Sequence, residues 1–177
     1  MIYKIPDLLD QQTQKNISDK FLEQKNWETS SDFWPKALYE YQSDGTQRQI
    51  TSPCFIGKGD FEEYNSNLKK IIFSLSQKEV MHIETLMYRW AEGSCILWHD
   101  DNGHDVTCTY YVSDWDRNWG GELLFKDGSW LAPEKNSLVI SLEQMEHKTT
   151  LRLPRTPERL TLQSFIQYKN GERPTIN

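Results

Sequence analysis

Residues 98–125 read WHDDNGHDVTCTYYVSDWDRNWGGELLF, and this stretch decides the fold because it sets short β-rich runs between turn residues. It also carries metal-ligand chemistry. His99 and Asp101 are separated by one residue, so on extended backbone an imidazole and a carboxylate project to the same side while Asp100 faces away. A second histidine from elsewhere would complete the 2-His-1-carboxylate arrangement, which binds non-haem Fe(II) and leaves positions open for other ligands. Alone, the His-x-Asp pair is a frequent chance pattern.

Working outward, the chain after Gln77 is a series of β-rich runs at 80–90, 96–99, 105–112, 122–125, 129–131, 137–142, 147–153 and 159–167. Asp127-Gly128 between Phe125 and Trp130 predicts a hairpin, and Pro133, Pro154 and Pro157 mark loops. On the N-terminal side, residues 2–5 suit a short edge strand. A helix is expected from Asp7, with Leu9, Ile17 and Phe21 on one side and Pro6 as its start signal. Residues 27–59, broken by Pro35, Gly45, Pro53, Gly57 and Gly59, read as loop with short strands around 37–41 and 49–51. Asp60 is the expected N-cap of a second helix, in which Phe61, Tyr64, Leu68, Ile71 or Ile72, and Leu75 recur at helical spacing. Two helices followed by about eight strands predict an α+β, mainly β architecture, with the helices packed on a β-sandwich or jelly roll.

The bulk numbers exclude several classes. At 177 residues the chain suits a single domain over 1–177, with a helical and loop support region at 1–77 and a β core at 78–170. Net charge is −6 and no long block of like charge occurs, so neither a nucleic-acid partner nor an anionic membrane surface is expected. No basic stretch precedes an apolar run near Met1, and nowhere do eighteen apolar residues run together, which leads to the expectation of a cytoplasmic protein. Cys54, Cys95 and Cys108 are odd in number and far apart, which suits reduced thiols.

The third ligand is chosen among His82, His104 and His147. His82 precedes the pair early in a strand and suits a packed or surface role. His104 follows Asn102-Gly103, a turn that carries it toward an entrance. His147 begins a late strand, and a distant strand returning beside the first is what closes a facial site in a jelly roll, so His147 is taken. In RLTLQSFI, Arg159, Thr161, Gln163 and Phe165 share one face, and Leu160, Leu162, Ser164 and Ile166 the other. Arg159 at the root of the polar face is the candidate anchor for a dicarboxylate cosubstrate, because a guanidinium fork matches a carboxylate and stays charged when buried. Arg152 and Arg155 are the rivals.

The ordered set WAEG, WHDDN, VTCTYYV, WDRNWGGELLF, His147 and RLTLQSF resembles the prolyl-4-hydroxylase-like branch of the Fe(II)/2-oxoglutarate-dependent oxygenases. The resemblance implies a double-stranded β-helix (jelly roll) with two N-terminal helices packed on one sheet. It implies His99, Asp101 and His147 as iron ligands and Arg159 as partner of the distal carboxylate of 2-oxoglutarate, with Tyr111 adding a hydroxyl. Tyr110, pointing the other way, is assigned to the core. Gly120 and Gly121 match paired glycines before a strand, and Thr109, Leu123, Gln163 and Phe165 are candidates for the pocket lining.

The implied cofactors are Fe(II), 2-oxoglutarate as cosubstrate and dioxygen, with ascorbate as an optional stimulant. The implied substrate is a prolyl residue of a peptide or protein, with a free amino acid or other small molecule as the alternative. Substrate contacts are expected from Trp27, Phe33 and Trp34 in the 27–59 loop and from the Asp127-Gly128 tip. The chain departs from the family pattern in three places. Trp90 stands where relatives have Tyr, the His147-to-Arg159 spacing is long across Pro154 to Pro157, and Lys148 follows His147. A non-enzymatic jelly-roll binding module and a zinc hydrolase are the rival readings; the latter lacks an evident general base.

Overall fold

A computed structural model describes residues 1–29, 39–41, 47–49, 51–101, 103–142 and 145–169. In chain order the elements are β1 (Ile2–Ile5), α1 (Gln11–Glu23), β2 (Glu28–Thr29), β3 (Tyr39–Tyr41), β4 (Gln47–Gln49), β5 (Thr51–Lys58), α2 (Glu62–Ser76), β6 (Val80–His99), β7 (Val106–Tyr111), β8 (Leu123–Phe125), β9 (Trp130–Leu131), β10 (Ser137–Ser141), β11 (His147–Thr149) and β12 (Arg159–Tyr168). The main sheet is antiparallel in the order β1-β10-β7-β12-β6-β11-β8-β9, with β5 also on β6 and β2 on β5. β3 and β4 pair with each other. The curled antiparallel sheet with two helices is a double-stranded β-helix, as expected.

Period-two alternation divides the central strands between two apolar clusters. On the helix side, Val106, Cys108 and Tyr110 of β7, Leu138 and Ile140 of β10, and Leu162 and Ile166 of β12 pack with Ile17 and Phe21 of α1 and with Tyr64, Leu68 and Ile72 of α2. On the inner side, Leu86, Tyr88, Trp90 and Ile96 of β6 join Cys54 and Ile56 of β5, with Phe165 against them. Each fully buried Leu or Ile contributes about 1.5–3 kcal/mol relative to exposure. That burial holds both helices on one face and leaves the other for chemistry.

Three expectations change in detail. The first helix begins at Gln11, not near Asp7: Asp10 accepts from the Thr13 amide as N-cap, while Asp7 takes a positive φ and the Leu8 and Leu9 amides donate to Asn136. Leu9 therefore precedes the helix. Asp60 does hold the Glu62 amide at 3.1 Å, although Phe61 occupies the cap position. The runs 80–90 and 96–99 are one 20-residue strand, β6. Gly93, at φ +75, bends the chain without interrupting pairing, because its amide donates to Arg152 O and the Arg152 amide donates to Ser94 O. The Asp127-Gly128 hairpin is present, with Gly128 at φ +88 and the Phe125 amide donating to Ser129 O. Phe33, Trp34 and Asn102 lie outside the described residues, as do parts of the runs expected around 37–41 and 49–51.

Candidate active site

The last residue of β6 is paired with the first of β11: His99 and His147 are Cα partners, and their rings stand 4.3 Å apart between centroids. Asp101, just past the strand end, reaches both. Its Oδ1 is 3.9 Å from Nε2 of His99 and its Oδ2 is 3.7 Å from Nε2 of His147. One ligand atom from each of the three side chains lies within 4.8 Å of the other two. Asp100 is exposed and takes no part.

Each histidine is oriented from behind. Nδ1 of His99 is 2.8 Å from Leu97 O, and Nδ1 of His147 is 2.8 Å from Met145 O. A carbonyl only accepts, so each Nδ1 carries the proton and each Nε2 presents its lone pair to the shared space, which is how metal-binding imidazoles are held. Burial, and then the neighbouring His147, hold the His99 imidazole below its ordinary pKa and favour the neutral form that a metal requires. Two imidazoles and one carboxylate on one side of a shared space fit a non-haem iron centre. Of the other candidates, His82 is exposed, and His104 packs on Phe165 at 4.6 Å between ring centroids beside a cavity, as an entrance residue would.

Arg159 opens β12 opposite Trp90 and is 5% exposed. Its guanidinium lies 4.9 Å from the centre of the Trp90 ring, donates from Nη1 to the Gly121 carbonyl, and has no partner at Nε. Burial lowers its pKa, with Tyr111 the largest opposing influence; the same guanidinium counteracts the rise that burial gives the Tyr111 phenol. Among the described residues no Asp or Glu forms an ion pair with it. A buried cation without an acidic partner carries a large desolvation cost, which a bound carboxylate would offset. Trp90, one of the departures from the family pattern, supplies a ring face here, and its Nε1 donates to Thr161 Oγ1 at 3.1 Å.

Arg152, named from the sequence only as a rival anchor, is a second buried guanidinium. Arg152 is 2% exposed, bridges to Gly120, and donates to Thr156 Oγ1 and Pro157 O. The long His147-to-Arg159 spacing is therefore closed on Arg152 rather than left as a loose insertion. The two glycines are required by approach as well as by φ. A Cβ on Gly120 would stand 2.1 Å from Leu151 O, and one on Gly121 would stand 2.8 Å from Arg159 Nη1. Thr150 fastens this turn by accepting from the Gly121 and Glu122 amides.

Other expectations divide. Tyr110 is core, 5.8 Å from Tyr64 between ring centroids, with its hydroxyl on Asn136. Thr109 donates to Gln163 at 2.7 Å on the inner face, Phe165 lines a cavity, and Leu123 is half-buried beside Thr149. Lys148 turns outward over Trp98. Trp27 packs on Phe21 and beneath Arg89, which makes it a staple of the loop to α1 rather than a surface contact.

A double-stranded β-helix that carries a His-Asp-His cluster and a buried arginine with no ion pair among the described residues has the parts of a non-haem oxygenase. The family model of the 2OG-Fe(II) oxygenase superfamily matches residues 83–167, a stretch that takes in both histidines, Asp101, Tyr111 and Arg159. No curated protein matches it in sequence. Among solved structures, it is similar to a prolyl-4-hydroxylase from Pseudomonas putida, at 14% identity and a TM-score of 0.69 over 95% of this chain and 92% of that one. It is also similar to a Trichoplax adhaerens prolyl hydroxylase in complex with a hypoxia inducible factor peptide fragment, at 14% identity and 0.64, over 93% and 82%. HygX from Streptomyces hygroscopicus, with nickel, 2-oxoglutarate and hygromycin B bound, is similar at 10% identity and 0.69, over 97% and 84%. At these identities the likeness is one of fold.

Proposed function

We propose that the chain is a 2-oxoglutarate-dependent hydroxylase whose target is a prolyl residue of a peptide or protein. The observation that carries this reading is the presence in one β-helix of the His-Asp-His cluster and of the buried Arg159, which forms no ion pair among the described residues. His99, Asp101 and His147 hold Fe(II), and Arg159 with the Tyr111 hydroxyl holds the distal carboxylate of 2-oxoglutarate. When bound, iron and 2-oxoglutarate supply oxidative decarboxylation, in which dioxygen delivers one oxygen to succinate and one to a C–H bond as carbon dioxide leaves.

The chain's own groups bind and orient. Leu97 O and Met145 O fix the histidine tautomers, Trp90 covers one face of the guanidinium, and the Gly121 carbonyl sets its rotation. A prolyl target is supported by the ordered motifs and by the two prolyl hydroxylases of like fold. The small-molecule alternative is supported by an equal TM-score to the structure holding hygromycin B. The test is succinate release with Fe(II), 2-oxoglutarate and ascorbate, in wild type and in His147→Ala. Oxygen-dependent succinate from wild type alone is the expected result; equal release from both proteins would remove His147 from the iron site.

A further inference from the structure

We propose that the substrate carries a cationic group close to the carbon it presents for oxidation, and that Glu84 pairs with that group in the cavity beside the metal cluster. This deepens the oxygenase reading and rests on it. The cavity measures about 560 Å³ and is lined by Met81, His82 and Glu84 of β6, Phe165 and Gln167 of β12, and His104. It adjoins the cluster through His104, which also lines a crevice with Asp101, Asp105 and His147.

The charges in this region are of one sign. Glu84 is the carboxylate of the larger cavity, Asp101 and Asp105 stand in the crevice beyond it, and neither lining contains a Lys or Arg. Nearby lysines are engaged elsewhere: Lys169 pairs with Glu79 at 3.0 Å, and Lys78 lies over the Tyr168 ring. Glu84 is exposed and forms no ion pair among the described residues. With Asp101 committed to the metal, an anionic group in the larger cavity would meet Glu84 and no Lys or Arg among the described lining residues, whereas an ammonium or guanidinium gains Glu84, the hydrogen-bonding side chains of His82 and Gln167, and the Phe165 ring. Because Glu84 is at the rim, the preference it confers is several-fold to about tenfold rather than thousandfold.

The shared chemistry is a fixed positive charge, whether it comes from a basic peptide or a small amine. The zinc-loaded protein with 2-oxoglutarate, which does not turn over, is titrated by NMR with three probes: acetyl-Lys-Pro-Lys-amide, acetyl-Glu-Pro-Glu-amide and lysine amide. Shifts confined to residues 81–84 and 165–167 and at least about fivefold tighter binding of the lysyl peptide are expected. Glu84→Gln removes that preference while zinc and 2-oxoglutarate affinities, measured separately, stay unchanged. Lysine amide binding as well as the peptide assigns the charge to small amines; weaker binding assigns it to a basic peptide. Equal affinity for the two peptides, no shift with either cation, or a preference that survives Glu84→Gln overturns the inference. If zinc and 2-oxoglutarate bind normally in that case, the oxygenase reading stands; if they do not bind, both fall.

Discussion

The Gly121 carbonyl accepts a hydrogen bond from Nη1 of Arg159, and a Cβ on Gly121 would stand 2.8 Å from that same nitrogen. Turn and guanidinium are thus built to one another. Gly121→Ala must relieve both the contact and a φ of +84, so it pushes the guanidinium off its position. Affinity for 2-oxoglutarate, by calorimetry on the metal-loaded protein, is expected to fall about tenfold or more, with metal affinity retained. An unchanged 2-oxoglutarate Kd would show that the turn does not position the arginine.

Arg159→Lys keeps the charge but loses the planar fork and its contact over Trp90. Since Arg and Lys differ most at bidentate, stacked sites, about 1–3 kcal/mol of 2-oxoglutarate binding should be lost, or roughly ten- to a hundredfold in Kd. Metal binding should not move. A lysine variant that binds 2-oxoglutarate as wild type does would reduce the anchor to a point charge.

Metal loading should stabilise the fold through linkage, because His99 and His147 sit on adjacent strands that the ion would tie together. At a hundredfold excess over Kd the gain is about 2.7 kcal/mol. Differential scanning calorimetry with and without Ni(II) should show a rise in Tm that chelator reverses. His147→Ala should lose most of that rise; a full rise in the variant would place the ion elsewhere.

Asn136 is a structural clamp remote from the chemistry. At φ +58, its side chain accepts from the Leu9 amide and the Tyr110 hydroxyl and donates to Leu9 O. Asn136→Ala strands these groups in a non-glycine left-handed conformation, and a loss of about 2–4 kcal/mol is expected from urea unfolding. Metal affinity at low temperature should survive. A loss below about 0.5 kcal/mol would mean that water replaces the amide.

The alternation of β12 and β7 was legible because a period of two needs no tertiary information: Leu162 and Ile166 fall to the helices, Arg159 and Thr161 to the inner face. His147 was legible as a strand start, but its pairing with His99 is a long-range fact that spacing alone only suggests. Arg152 was not legible, since nothing local distinguishes an arginine that folds back on Pro157 from one in water. The first helix start was missed because Asn136, far along the chain, captures the Leu8 and Leu9 amides and delays the helix to Asp10. Likewise β6 read as two strands because Gly93 signals a break, and only its hydrogen bonds with Arg152 turn the break into a bend.

Trp90, which stacks on the Arg159 guanidinium and pairs with Arg159 between β6 and β12, and His99, one of the three residues of the cluster, belong to one continuous strand. The separation between the guanidinium and the His-Asp-His cluster is therefore set along a single piece of backbone, with Gly93 at φ +75 as its crease. One residue inserted at Gly93 would change that separation while leaving every side chain of the cluster and of the guanidinium's surroundings in place.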